Sequence, residues 1–236
     1  MVIQSDELAQ QVAELGRLRE AKVTEMAELQ RVETRRQNTL QTFRTRQSEA
    51  ENRLVLLDEQ EGRLSSLVAD LDRARVEEVQ RNRVAGAPET ASPNALSGDD
   101  VGLLDWPVTG NLLYEFGPQR QPNGTTIRWN GIGIQAPPGT PVQAVRGGTV
   151  LLAGPFEGYG PSVVLSHGGG FYTLYLYLQD VQVVEGRDVM TGDVIGSVGG
   201  TDTPEGPHVE FQVRMPVGGG SPMAVDPIGW LRPREP

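Results

Sequence analysis

The sequence predicts an α + β multidomain chain: a long N-terminal coiled-coil helix or helical hairpin, followed by an all-β domain. Three observations carry this prediction. All 17 prolines and 26 of the 29 glycines lie after residue 87. The first 87 residues hold one aromatic, Phe43, and are crowded with Arg, Glu, Gln and Leu, the composition of a long solvated helix. From Trp106 onward, β-branched and aromatic runs alternate with glycine-bearing turns, and residues 88–236 carry 12 of the 13 aromatics, enough for a globular core.

Each element follows from a local pattern. Steps of seven from Leu8 give Leu8, Leu15, Lys22, Leu29, Arg36, Phe43, Ala50, Leu57, Leu64 and Leu71, of which eight of ten are apolar. Companions such as Val12, Leu18, Met26, Val32, Leu40, Leu54, Leu67 and Val68 complete the stripe. Ser5 before Asp6 and Glu7 is a candidate N-cap. A helix over 5–86 would reach on the order of 120 Å, so its stripe requires a partner. That partner is a second copy, another protein, or the helix itself folded back near Arg35–Thr39. The structural alternative is a plain spacer or dimeriser.

Residues 87–104 read as a linker and regulatory segment, with helix breakers up to Asp100 and then Val101, Leu103 and Leu104, and 105–232 as the β-domain. Expected strands are 131–134, 141–145, 148–153, 162–166, 171–178, 193–198 and 208–214. In the last of these, period-two alternation puts Val209, Phe211 and Val213 on one face and His208, Glu210, Gln212 and Arg214 on the other. A row of four hydrogen-bonding side chains on a sheet is a candidate binding surface.

Composition also excludes. The β half holds 7 basic against 15 acidic residues, which repels phosphate backbones, so no nucleic-acid partner is expected. With no cysteine, disulfides, thiolate metal sites and a cysteine nucleophile are impossible. There is no G-x-S-x-G elbow, and Gly218-Gly219-Gly220-Ser221 lacks the lysine of a phosphate clamp. No run approaches the ~20 apolar residues of a membrane span. The start, Met-Val-Ile-Gln-Ser-Asp-Glu, does not have the basic and apolar regions of a signal peptide.

The motifs of the C-terminal half occur in a recognisable order: W-P-V-x-G (106–110), F-G (116–117), A-P-P-G-T-P-V (136–142), G-G-T-V (147–150), G-Y-G (158–160), S-H-G-G-G-F (166–171), T-L-Y-L-Y-L (173–178), G-D-V-I-G (192–196) and G-P-H-V-E-F (206–211). This order resembles the LytM or lysostaphin-type zinc endopeptidases of bacterial cell walls, which implies a LytM-type barrel or sandwich. The family's three zinc-ligand places fall on Trp129, Gly133 and Glu210, and its two further active-site histidines on Tyr177 and His208. An indole has no lone pair to give and glycine has no side chain, so a catalytic zinc is not expected, nor any other cofactor. A phenol is a poor general base at neutral pH. His167 in S-H-G-G-G is expected to be structural.

The coiled coil together with Arg128-Trp129-Asn130-Gly131 and Tyr177 is similar to one subgroup, the EnvC-like murein hydrolase activators. That resemblance implies a non-catalytic periplasmic protein, its signal peptide removed, that switches on N-acetylmuramoyl-L-alanine amidases during daughter-cell separation. It also implies control through the coiled coil by an FtsEX-type ABC transporter complex. The expected partner-binding groove is Trp129, Asn130, Gly133, Tyr159, Tyr177, His208, Glu210 and Arg214, with residues 95–104 a candidate cover. The alternatives are a scaffold module that binds peptidoglycan itself and a residual zinc endopeptidase.

Overall fold

The computed structural model describes residues 2–84, 96–121, 124–218 and 221–234. The N-terminal segment is a single helix, α1 (Val2–Val84), so the hairpin alternative does not occur. Helix is already present at Val2, which removes Ser5 as its N-cap. No proline and only Gly16 and Gly62 interrupt this stretch, so nothing in it breaks the backbone ladder.

The chain divides into two compact units between Arg53 and Leu54, not at the proline-rich linker. In the first unit the apolar stripe is uncovered: Leu15 is 57% exposed and Phe43 63%. The second unit contains the last turns of α1 together with the β-domain. Part of the stripe therefore finds its partner within its own chain.

Among the described residues the β-domain has thirteen strands: β1 (Asn111–Tyr114), β2 (Gly117–Arg120), β3 (Thr126–Trp129), β4 (Ile132–Gln135), β5 (Pro141–Gln143), β6 (Gly148–Phe156), β7 (Gly160–Ser166), β8 (Tyr172–Leu176), β9 (Leu178–Val181), β10 (Asp188–Val189), β11 (Val194–Val198), β12 (His208–Pro216) and β13 (Pro222–Val225). The main antiparallel sheet runs β1-β4-β12-β8-β7-β6-β10, with β13 paired to the end of β12. A smaller sheet, β5-β11-β9, packs on one face of it, and β2-β3 form a two-stranded ribbon. This is a sandwich and not a closed barrel.

All seven expected strands are present, with shifted ends. The expected strand 171–178 is divided by Tyr177, whose φ of 60° takes it out of extended backbone. Its N–H donates to the Tyr159 carbonyl and its carbonyl accepts from Gly199 N–H, so the departure is held on both sides. The strands not anticipated are short ones such as β1 and the β2-β3 ribbon, which lack long apolar alternation.

Period-two alternation works twice in this sheet. Val209, Phe211 and Val213 of β12, Tyr175 of β8 and Val163 and Leu165 of β7 join Val142, Ile195 and Val198 of the small sheet in one core. The opposite face is also apolar in part: Val164, Tyr172, Leu174 and Leu176 form a second cluster with Leu64 and Val68 of α1. A sheet apolar on both faces needs a layer on each side, and the second layer is helix.

Two expectations about the linker meet different outcomes. Residues 87–95 lie outside the described residues. Leu96 and Leu104 are buried in the main core, with Leu96 N–H bonded to the His167 carbonyl and Leu104 bridged to Leu231. Val101 and Leu103 are exposed, so the described part of 95–104 is pinned to the sandwich core and does not supply the cluster that covers the second face.

His167 is fully buried, its Nδ1 2.8 Å from the Gly147 carbonyl and its Nε2 2.8 Å from Thr173 Oγ1. Burial pushes its pKa down to about 4, which keeps the ring neutral between these partners. Phe211 sits at the centre of the sandwich, fully buried. Phe211→Ala should destabilise the β-domain by about 3–5 kcal/mol in urea unfolding. The exposed Met190→Ala should change it by less than about 0.5 kcal/mol in the same measurement.

Candidate functional site

The candidate groove lies on the second face of the main sheet, and β12 supplies its central row. β12 pairs with β4 through His208–Phe211 and with β8 through Glu210–Arg214, so its outward side chains stand between strands on either side. His208, Glu210, Gln212 and Arg214 are all buried, between 0% and 3% exposed. A polar row buried to this degree must be satisfied from within the protein, and the way this is done defines the site.

At one end, Tyr114 of β1 fills the space between the three places matched to zinc ligands. Its ring stacks on Trp129, centroids 3.9 Å apart, and meets His208 edge-on at 5.6 Å. Its hydroxyl donates to Glu210 Oε2 at 2.9 Å. A Cβ on Gly133 would lie 2.4 Å from the Tyr114 ring, so glycine at that position is what admits the tyrosine. The Trp129 indole N–H points to Gln119 Oε1, 3.2 Å away. The residues present do not fit a zinc ion: one carboxylate, one indole N–H donor and one glycine surround a phenol ring. Among the described residues, no group of three or more His, Asp or Glu converges in a way that could hold a metal.

Glu210 sits in this dry surrounding. Burial pushes its carboxyl up to about 7, with the Glu61 carboxylate acting in the same direction, while hydrogen bonds from Gln212 and Tyr114 and the Arg214 charge oppose it. Burial also raises the Tyr114 and Tyr159 phenols well above their ordinary range. These phenols stay protonated and serve as hydrogen-bond donors and packing surfaces, not as bases.

At the other end the groove is filled by α1. Arg214 is 1% exposed, and its guanidinium is clamped from below by Gln212 Oε1, 3.0 Å from Nε and 2.8 Å from Nη2. From above it donates to Glu61 Oε1 at 2.6 Å and to Ser65 Oγ at 3.0 Å. Leu64 and Val68, one turn and two turns further on, are fully buried against Tyr159, Val164, Tyr172, Leu174 and Leu176. Tyr172 donates its hydroxyl to Asp72 Oδ1 at 2.8 Å. Gln60 rests on the β6-β7 turn, where a Cβ on Gly158 would lie 2.5 Å from it. Leu54 and Leu57 pack on the cluster of Tyr114, Ile127 and Trp129.

Magnitudes rank these contacts. The rim pair Arg63–Glu157, 45% and 79% exposed, is worth at most about 1 kcal/mol. Leu64 and Val68 each remove a whole side chain from water, about 1.5–3 kcal/mol apiece. Losing Glu61 would leave Arg214 unpaired and out of water, a penalty of about 3–5 kcal/mol. The apolar pair therefore supplies most of the affinity for the seat, and Arg214 decides what can occupy it.

Of the eight expected groove residues, the structure brings Trp129, Gly133, His208 and Glu210 together around Tyr114, and places Tyr159 and Arg214 under α1. Tyr177 bridges the two groups, 4.9 Å from His208 and 5.3 Å from Tyr159 by ring centroids. Asn130 is half-buried in the turn before β4 and has no described role in either group. Nearly every one of these side chains is buried, and the segment of this chain that overlies the α1 end is residues 54–72 of α1. Tyr114, Glu61, Leu64, Ser65, Val68 and Asp72 were missed, although Leu57, Leu64 and Leu71 all fall on the sevenfold register. A cleft of about 430 Å³ remains beside the seat, lined by Tyr159, Tyr177, Gln179, Gly199, Thr201 and Asp202 among others and by no residue of α1.

Residues 128–227 match the family described as Peptidase family M23. The matched residues take in β4 to β13, including β12 and β8, while β1, which supplies Tyr114, lies before them. The chain is 32% identical over 212 residues to the murein hydrolase activator EnvC of Escherichia coli (strain K12), covering 88% of this chain and 46% of that protein. It is 32% identical over 131 residues to the cell division protein DipM of Caulobacter vibrioides, covering 55% of this chain and 20% of that one. It is 38% identical over 109 residues to the DD-carboxypeptidase/endopeptidase Mpg of Neisseria meningitidis serogroup B, covering 46% and 25%. The M23-type relatives thus include both an activator and a peptidase. The chain spans less than half the length of each of these relatives.

The raised Glu210 carboxyl has a testable consequence. Its folded pKa near 7 lies above the ordinary carboxylate value, so the folded protein holds this proton more tightly than the unfolded chain. That contribution is full at acid pH and is lost as pH rises through 7. The stability difference between the wild type and Glu210→Gln should therefore shift against the wild type by roughly 2–3 kcal/mol between pH 5 and pH 8, read from urea midpoints.

Proposed function

We propose that this chain is a non-catalytic activator of cell-wall amidases, holding its amidase-binding groove closed with residues 54–75 of its own helix. One observation carries the reading. In an M23-type domain, the place matched to the metal is filled by Tyr114, and the adjoining groove is filled by α1 through a reversible-looking mixture of two apolar side chains and one charge pair. A groove that does no chemistry but is specifically covered is suited to regulated capture of another protein.

The physical sequence follows from the contacts. With α1 seated, Leu64, Val68 and Glu61 occupy the surface a partner would need. When α1 leaves, a strip of apolar side chains and one guanidinium are exposed together, which is the composition of an interaction hot spot. The partner in this reading is an N-acetylmuramoyl-L-alanine amidase. The exposed stripe of residues 8–43 receives the releasing signal from an FtsEX-type ABC transporter complex in the inner membrane. The names of the EnvC and DipM relatives, a murein hydrolase activator and a cell division protein, support a role at the dividing cell wall, and the reading places the chain in the periplasm. No described helix is long and apolar enough to cross a membrane.

A second reading has its own observation. The cleft beside the seat stays uncovered and is lined by two tyrosines, glycines and Asp202, which suits a peptidoglycan-binding scaffold. Sedimentation of the protein with isolated cell wall distinguishes it, because a scaffold binds wall whether or not α1 is seated.

The activator reading is tested with purified amidase. Leu64→Asp combined with Val68→Asp should unseat α1 and raise activation at least several-fold over the wild-type chain. Adding Arg214→Glu to that open variant should abolish the gain. Equal activation by all three proteins, or none by any, defeats the proposal, as does stoichiometric zinc binding with cleavage of peptidoglycan crosslinks.

A further inference from the structure

The first compact unit leaves one face of α1 uncovered. Val12, Leu15, Met26, Leu29, Leu40 and Phe43 are between 49% and 68% exposed, although they belong to one stripe at seven-residue spacing. A helix gains most of its stability by packing such a face, so an uncovered stripe of this length calls for a second helix. We propose that the occupant is a second copy of this chain, lying antiparallel, with the two-fold axis passing between Ala27 and Glu28.

The order of the core positions supports self-pairing. With Leu8 at d, the d series is Leu8, Leu15, Lys22, Leu29, Arg36 and Phe43, and the a series is Val12, Arg19, Met26, Glu33, Leu40 and Gln47. Along the helix these positions run apolar through Leu15, charged at Arg19 and Lys22, and apolar at Met26 and Leu29. They then turn charged at Glu33 and Arg36 and apolar again at Leu40 and Phe43. About a centre between Ala27 and Glu28, that order is the same in both directions. A helix of unrelated sequence would require no such symmetry, whereas two copies related by a two-fold axis do.

In an antiparallel pair an a residue of one helix faces a d residue of the other. Met26 then meets Leu29, Leu15 meets Leu40 and Val12 meets Phe43, while Lys22 meets Glu33 and Arg19 meets Arg36. Apolar faces apolar and charged faces charged in each of these layers, and the match ends only where Leu8 meets Gln47. A slip of one heptad sets Met26 against Lys22 or Arg36, and Arg19 against Leu29 or Phe43, which buries charge on apolar side chains. A parallel, in-register pair sets every residue against itself. Its four charged layers are then all like-charged, and Arg19 and Lys22 crowd four positive charges into about one turn. The antiparallel pair divides that excess between the two sides of the axis and gives each Lys22 a carboxylate. This pairing is independent of the activator reading. In that reading, the signal-giving complex displaces the second copy from the stripe.

The test uses the full chain at micromolar concentration. Sedimentation equilibrium should give twice the 25.6 kDa chain mass. Glu33→Lys, which sets a like charge against Lys22, should weaken the dimer about tenfold. Adding Lys22→Glu to that variant should restore it, which shows that the single change removed pairing and not folding. The chain has no cysteine, so disulfides between the variants Val12→Cys and Phe43→Cys have a single origin. Mixed in a thiol redox buffer, these two variants should form the disulfide between positions 12 and 43. A monomer, disulfides joining like positions only, or a charge exchange that does not restore the dimer overturns the proposal. A dimer that survives Met26→Asp combined with Leu29→Asp is held elsewhere and overturns it as well.

Discussion

A guanidinium that is 1% exposed is the constraint around which the functional half of this molecule is arranged. A guanidinium is a permanent cation in proteins, and that of Arg214 cannot reach water while α1 is in place. It must therefore be given acceptors. Gln212 supplies one from its own strand and Glu61 supplies a charged one from the helix. Leu64 and Val68 supply more of the attraction, yet an apolar surface alone would accept many helices in many registers. The charge pair sets which turn of α1 sits over β12.

The groove shows how a buried polar row can be satisfied from within the protein. A polar cavity closed to solvent leaves buried groups that need partners or a filling residue. Here a tyrosine does both: its ring occupies the volume above Gly133 and its hydroxyl satisfies Glu210. The cost is a carboxyl held in a dry place with its pKa raised to about 7, which is tolerable because two neutral donors face it. Tyr114 packs on Trp129 and His208 at this end of the groove, and Leu64 and Val68 pack at the α1 end.

Much of this arrangement was legible from periodicity. The seven-residue stripe identified a helix through residue 84, and period-two alternation separated the core face of β12 from its functional face. The same rules fell short where an element was brief or bent. β1 is four residues long and gives no repeat, so Tyr114 went unnoticed, though it is central to the site. Tyr177 divided a strand that reads as continuous, because a left-handed backbone angle at a non-glycine residue leaves no mark in the sequence. The expected cover, residues 95–104, lies just before the β-domain, whereas the apolar residues that pack on the second face, Leu64 and Val68, also fit a coiled-coil stripe.

The sequence by itself determined what each segment can be: a proline-free helix with one apolar stripe, and a β-domain with a polar row on its last long strand. Only the tertiary structure decided which surfaces meet. An apolar stripe at helical spacing fits a second helix and a half-buried sheet equally well, since both bury the same area. The choice was made by Val164, Tyr172, Leu174 and Leu176, brought side by side from β7 and β8, and by Arg214 beside them. Their combined shape and charge exist only once the sheet has formed.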